Sequence, residues 1–307
     1  MQIETALMLN RDREAPVSER SPRVTMAASS PPLHVVAIVY RSSESFPGLL
    51  KGLLAQDRGD WRLHVIDNGD PRSVSAAQAL GDPRISITHN PVNFGFARAA
   101  NQGMREALAE GAKAVLLINS DVTLPPDLFS ALGEAERTLP GAVLSPRIMD
   151  APDVCGFAGG RIDHSWIYQS ISYPYDPAVT EPQRSEFAWG CCLFIPAEVL
   201  NKVGFLDERF FVYWEDSDFC LRLNRAGIPI YYLPTVSIQH QGRESTGGGS
   251  AIYYKLFYIS YMQFLKKHFG FGHALATMLR VTRLNIESRR FEFIGVKTAA
   301  MLMGLLR

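Results

Sequence analysis

Short apolar runs that end on polar or acidic residues, separated by stretches with helical spacing, constrain the first half of this chain more than any other feature. His34 to Tyr40 (HVVAIVY) has the length and β-branching of a buried strand, and Phe46 to Gln56 follows as a crossover helix. Arg62 to Ile66 reads as a second strand, stopped by Asp67-Asn68-Gly69-Asp70, and Arg84 to Thr88 as a third. Ala97 to Glu110 is a helix closed by Gly111, and Ala114 to Ile118 (AVLLI) a fourth strand whose wholly apolar sequence predicts a central place. Such alternation builds an α/β domain with a mainly parallel central sheet. Ligands of open α/β sheets bind beyond the carboxyl ends of the strands, so Asp67, Asn93 and Asp121 are predicted to face one crevice.

The second half is less regular. Gly, Tyr and Pro dominate a predicted loop region from Ala151 to Arg184, followed by a strand at Ala188 to Ile195 and a helix at Pro196 to Val203. An aromatic and acidic segment, Phe210 to Arg222, precedes a short strand at Ile230 to Leu233 and the run Ser237 to His240; Gly247 to Gly249 marks a flexible loop. The chain thus divides into an N-terminal extension (1–33) expected to be unstructured, a main domain (34–250) and a basic amphipathic helical tail (251–307). Met26 is a second candidate for the start of translation.

With 31 basic and 31 acidic residues, no overall field recruits nucleic acid. The tail differs, carrying nine Lys or Arg against Glu287 and Glu292. Its two amphipathic stretches suit either an interfacial helix on the inner face of the plasma membrane or a helix docked on the acidic body. No run of about 18 apolar residues marks a transmembrane helix, and the first 33 residues lack a secretory apolar core. Cys155, Cys191, Cys192 and Cys220 form no paired framework, which predicts reduced thiols in a cytoplasmic protein.

The motif G-x-G-x-x-G is absent after the first strand, where Arg41-Ser42-Ser43-Glu44-Ser45 stands, so a nicotinamide dehydrogenase is disfavoured. A Walker lysine loop is also missing. Asp67 at a strand tip suits a base or ribose, or else an Asx turn shaping its own loop. Asn119-x-Asp121 suits Mg²⁺ or Mn²⁺ bridging two phosphates, or a turn cap. Trp214-Glu215-Asp216-Ser217-Asp218 packs three carboxylates into a helix start flanked by aromatic residues. Burial and like charge raise a carboxylate's proton affinity, which favours Asp216 as a general base, while Asp218 also suits a solvated first turn. His240 could supply nitrogen to a metal, and Arg243 a guanidinium to phosphate.

In their order and spacing these segments resemble the inverting glycosyltransferase family 2, and in particular its rhamnosyltransferase-like branch. The resemblance runs from about Val35 to Gly270 through Val65-Ile66-Asp67-Asn68-Gly69, Asn93-Phe94-Gly95-Phe96-Ala97, Leu117-Ile118-Asn119-Ser120-Asp121, Gly204-Phe205-Leu206-Asp207-Glu208, Phe210 to Asp218, Arg222 and His240. It implies a GT-A fold and a sugar, rhamnose from dTDP-rhamnose being one candidate, passed from a nucleotide-diphosphate donor to a glycan or polyprenyl-linked glycan. It further implies Asp216 as base beside Glu215, a divalent metal on Asp121 and His240, and a donor site of Tyr40, Asp67, Asn93, Gly95, Arg98, Asn119 and Arg243. Trp189, Gly190 and Trp214 are the implied acceptor or sugar pocket. A nucleotidyltransferase would need a glycine- and lysine-rich triphosphate loop, and a non-catalytic sugar-nucleotide binder would be expected to lose Asp121 and Asp216.

Overall fold

The computed structural model describes residues 31–163, 169–242, 249–287 and 293–307. Most of the expected N-terminal extension, Met26, Arg243 and much of the glycine loop therefore lie outside the described residues. The first half runs β1 (Leu33–Val39), α1 (Phe46–Leu54), β2 (Trp61–Asp67), α2 (Ser75–Leu80), β3 (Ile85–His89), α3 (Phe96–Ala109) and β4 (Ala114–Asn119). Strands β4, β1, β2 and β3 are neighbours in that order and all parallel. Each apolar run is covered on both faces, which is why β1 and β4 lack polar alternation. Helix α1 buries Phe46, Leu49, Leu50 and Leu53, the spacing that places one stripe of a helix against a sheet.

The second half adds β5 (Val122–Thr123), α4 (Leu128–Thr138), β6 (Val143–Ala151), β7 (Val154–Phe157), β8 (Gly160–Asp163), β9 (Gln169–Ser172), β10 (Gln183–Ser185) and β11 (Cys192–Pro196). Then come α5 (Ala197–Val203), α6 (Glu215–Arg225), β12 (Ile230–His240), α7 (Ala251–Phe269), α8 (Phe271–Glu287) and α9 (Ile294–Leu306). The sheet order is β10-β12-β6-β11-β4-β1-β2-β3. Strand β11 is antiparallel to both its neighbours, β4 and β6, so the sheet changes from parallel to mixed beside β4. The segment expected as loop from Ala151 to Arg184 in fact carries four short strands, β7 to β10. Each has three or four residues and pairs with a distant strand or its hairpin partner, so no periodicity in its own sequence announces it. Strand β6 also went unassigned because Pro146 and Arg147 interrupt its apolar run.

Helix α7 closes the core from the other side, burying Met262, Phe264 and Leu265 in the same apolar cluster as the sheet. Its end is tied to α6 by Asp218, which is fully buried and not the solvated first-turn residue expected. Asp218 meets Lys267, accepts from His268 Nε2 at 2.7 Å, and pairs with Arg222 Nε at 2.9 Å. Burial raises the Asp218 carboxyl, but its hydrogen bonds from His268 and Lys267 outweigh that and hold it below the usual range. Arg222 extends the clamp to the carbonyls of Val203 and Phe205 at 2.6 and 2.8 Å, and Lys267 also reaches Asp207 at 2.8 Å.

Asp218→Asn should cost about 3–5 kcal/mol in denaturant unfolding, the usual consequence of breaking a buried ion pair. Because the carboxyl is held below its unfolded value, its contribution is complete above about pH 4 and is lost as pH falls further. The variant should therefore lose part of the parent's acid sensitivity as well as its stability.

Candidate active site

Strand β4 ends at Asn119 and β5 begins at Val122, so Ser120 and Asp121 form the turn between them. Strand β5 pairs with the last residues of β12, His240 facing Val122 in register, which brings together side chains far apart in the chain. His240 Nε2 lies 3.2 Å from Asp121 Oδ1 and 3.3 Å from Asn119 Nδ2. Asn119 Oδ1 is buried with no hydrogen-bond partner. Ligands about 2.0–2.2 Å from one ion lie roughly 3 Å from each other, so the Asp121–His240 separation fits a shared divalent cation. A single carboxylate and a single imidazole leave most coordination positions open for phosphate oxygen or water.

The turn before α6 is strained: Tyr213 and Trp214 have φ of 67° and 70°, left-handed values that bulky side chains rarely adopt. Each costs about 1–3 kcal/mol, and the pair turns the chain so that Glu215 and Asp216 open the helix. Asp216 accepts from Gly190 N at 3.2 Å and from Ser217 N at 2.7 Å. Glu215 is buried and its Oε2 has no partner. Burial and then the Asp216 charge push Glu215 up to about 8. Burial also raises Asp216, although its N–H donors oppose the shift. Of the two, Asp216 is the better solvated by donors, so negative charge settles there and the shared proton on Glu215.

The metal-type pair and the acid pair meet at Gly190 and Cys191. Gly190 donates to Asp216, and the carbonyl of Cys191 accepts from Asn119 N at 2.9 Å. A Cβ on Gly190 would come within 3.3 Å of the Asp216 side chain, so glycine lets the two segments close up. Cys191 is held well above the ordinary thiol range by burial, then by Cys192 and the charges of both Asp121 and Asp216. The preceding Trp189 stacks on Phe157 of β7 at 5.5 Å, so one of the unpredicted strands supports this pocket wall. All four cysteines are free thiols, with Cys191, Cys192 and Cys220 buried.

Asp67 lies on the same carboxyl edge but is fully buried, and both its oxygens are engaged. Oδ1 accepts from Gly69 N and Asp70 N, and Oδ2 meets His89 Nδ1 at 2.8 Å. The Asx turn is therefore present, and the half-exposed His89 ring stands between this carboxylate and solvent. Asn93 spends Oδ1 on Gly95 N and Asn68 Nδ2, while Phe94 N donates to Asn68 Oδ1 at 2.9 Å. Gly95 has φ of 85°, and a side chain there would strike the Phe211 carbonyl, which accepts from Phe96 N at 2.6 Å. This contact fastens α3 to the loop before the acid pair.

Tyr40, half-buried, ends the β1 run beneath the Arg41 guanidinium. Arg98 stacks on Phe94 at 4.2 Å and lines, with Asn90, Glu106 and Glu208, a groove of about 570 Å³. The sequence reading missed Asn68 as the buried knot between two loops. It also missed Ser42, which receives a hydrogen bond from Ser120 Oγ at 2.8 Å and donates N–H to Ser73, joining the loops after β1, β2 and β4. The run Asp67-Asn68-Gly69 held the signal for Asn68; none pointed to Ser42. A further group, His34, His64 and Glu110, has ligand atoms close enough to hold an ion. It belongs to the opposite end of β1 and α3, and burial lowers His34 and brings His64 down to about 4, leaving a neutral imidazole pair joined at 2.9 Å.

The family model of glycosyl transferase family 2 matches residues 34–204, more than half the chain. This chain belongs to glycosyl transferase family 2. Asp67, Asn119, Asp121 and Gly190 lie within the match, and Glu215, Asp216 and His240 beyond it. An N-acetylglucosaminyl-diphospho-decaprenol L-rhamnosyltransferase of Mycobacterium tuberculosis is 27% identical over 267 residues, covering 79% of this chain and 87% of that protein. A low-salt glycan biosynthesis hexosyltransferase of Haloferax volcanii is 25% identical, covering 68% of this chain and 66% of the relative. Among solved structures, GalNAc-T7 with UDP, GalNAc and Mn²⁺ aligns at a TM-score of 0.60 and 14% identity. The alignment covers 78% of this chain and only about half, 48%, of that one, and it establishes the GT-A fold.

The pH dependence of folding tests the Glu215 environment. Folded protein keeps a proton on Glu215 that the unfolded chain releases above about pH 4.3. Stability should therefore fall as pH rises from there toward about 8. Glu215→Gln should flatten this slope in melting temperature against pH; an unchanged slope would place the proton elsewhere.

Proposed function

We propose that this chain is an inverting, divalent-metal-dependent glycosyltransferase that moves a hexose from a nucleotide-diphosphate donor to a glycan or polyprenyl-linked glycan acceptor. The observation carrying the reading is the meeting of Asp121–His240 and Glu215–Asp216 across Gly190–Cys191, which sets a phosphate-side site next to a base. The relatives' names support glycan assembly, and rhamnose, carried as dTDP-rhamnose, is the first donor to test.

Asp121 and His240 would hold Mn²⁺ or Mg²⁺, which when bound neutralises the departing diphosphate. Asn119, with its buried unpaired oxygen, orients the same corner. The Asp67 turn and the Asn68–Asn93 knot shape the nucleotide end, with Tyr40 beside them. Trp189, Gly190 and Trp214 line the space for sugar and acceptor. Asp216 takes the acceptor hydroxyl proton as that oxygen attacks the anomeric carbon, and its raised proton affinity makes it a stronger base than an ordinary carboxylate. Glu215 keeps its own proton, so Asp216 works as a lone anion rather than one of a repelling pair. A single displacement inverts the anomeric centre.

Donor hydrolysis and transfer should be screened across nucleotide sugars with Mn²⁺, Mg²⁺ or chelator. Asp216→Asn should lower kcat by about 10²–10⁴-fold with donor binding kept, and Asp121→Asn should weaken Mn²⁺ and donor binding together. An Asp216→Asn protein at parental turnover, or retention of the anomeric configuration in the product, contradicts the mechanism.

The reading extends to the membrane. No described helix is long and apolar enough to cross one. Exposed Phe271, Leu279, Ile286, Leu302 and Leu306 nevertheless cluster on the last two helices, whose basic residues include Arg280 and Arg283. Peripheral contact with the inner leaflet through 251–307 accounts for both features. Parent protein should float with anionic liposomes and remain behind with neutral ones.

A further inference from the structure

On the last helix, the ammonium of Lys297 is buried with no counter-charge among the described residues. Lys297 of α9 is 7% exposed and has no carboxylate partner among the described residues; its Nζ lies 4.0 Å from the centre of the Tyr254 ring. A lysine ammonium has three donors, and the face of a ring satisfies none of them as an oxygen would. Buried charges are ordinarily paired, so this one is short of an anion. Lys297 also lies in the first turn of α9, where backbone N–H groups and the helix dipole favour negative charge.

Tyr254 begins a wall of half-buried rings. It meets Tyr253 at 5.2 Å, Tyr253 stacks on Phe257 at 5.8 Å, and Phe257 meets Trp214 at 5.5 Å. Trp214 immediately precedes Glu215 and Asp216. The wall therefore joins the buried ammonium to the proposed base, on a side built by α7 and α9 rather than by Asp121 and His240. The exposed apolar residues of α8 and α9 and the arginines of α8 adjoin it in the chain, as would suit an anion attached to a lipid.

We propose that Lys297 and Tyr254 form a subsite for the diphosphate of an isoprenoid-diphosphate-linked sugar acceptor. The aromatic wall carries the apolar face of that sugar while Asp216 receives its hydroxyl proton. The proposal rests on the glycosyltransferase reading with a polyprenyl-linked acceptor and adds the residues that would hold that acceptor's diphosphate.

The full chain would be titrated calorimetrically with farnesyl diphosphate, farnesol and inorganic pyrophosphate in EDTA, which denies Asp121–His240 an ion with which to hold a diphosphate. Farnesyl diphosphate should bind more tightly than either control. Lys297→Gln should weaken it at least tenfold, and Lys297→Arg should retain most of the affinity. Tyr254→Leu serves as the weakening variant if Lys297→Gln does not fold, as judged by melting. In transfer assays, Lys297→Gln should lower the selectivity for a sugar on a diphosphate lipid over the same sugar as an octyl glycoside by at least tenfold, through KM. The proposal is overturned if farnesyl diphosphate fails to bind, if Lys297→Gln binds it as the parent does, or if pyrophosphate binds equally well. Absence of any sugar transfer would sink the enzyme assignment while leaving the binding result to stand or fall by itself.

Discussion

The buried carboxylate of Asp218 fixes the helix that presents the acid pair. It is met by a side chain of its own helix, Arg222, and by two residues of α7, Lys267 and His268. Arg222 in turn closes the last carbonyl of α5, that of Val203, and the carbonyl of Phe205 just after it. A charge desolvated this completely adds little net stability, since its attraction to its partners mainly offsets the loss of water. What it does contribute is position: α6 cannot shift against α7 without unpairing a buried ion. The first turn of that helix, with Glu215 and Asp216, inherits this rigidity.

Around the fixed helix start, strain and burial act in the same direction. The left-handed Tyr213 and Trp214 aim the acids back toward Gly190, and the rings of α7 pack behind them, with Tyr261 stacked on Trp214 at 4.5 Å. Removing water from two neighbouring carboxylates makes it unfavourable for both to ionise. The donors from Gly190 and Ser217 then decide which one carries the charge. The antiparallel β11, inserted beside β4, brings Gly190 and Cys191 alongside Asn119 and Asp121, so the change in strand direction creates the crevice.

The C-terminal helices serve both the core and the surface. Helix α7 lends the core Met262, Phe264 and Leu265, and its aromatic residues continue as a wall toward Lys297. Farther along, apolar side chains remain exposed beside arginines. The same tail thereby supports the acid pair from behind and leaves apolar side chains exposed at its end.

How much was legible follows from the range of the forces involved. Apolar runs and helical spacing are local, so β1 to β4, α1 and α3 were readable within a residue or two, as was the polar carboxyl edge. Asp121 and His240 stood out at the ends of apolar runs, and Asp216 because three carboxylates among aromatic residues are costly without a use. Strand pairing and burial depend on distant partners. Strands β7 to β10 are too short for a period, and Asp218 looked like a solvated first-turn acid until Lys267 and His268 folded over it. Asp67 could be a ligand or a turn anchor in sequence, and only the approach of His89 engaged its second oxygen. The chain by itself determined the α/β class and the kinds of group that line the site; tertiary structure decided which charges were paired, because pairing depends on distances that sequence spacing does not contain.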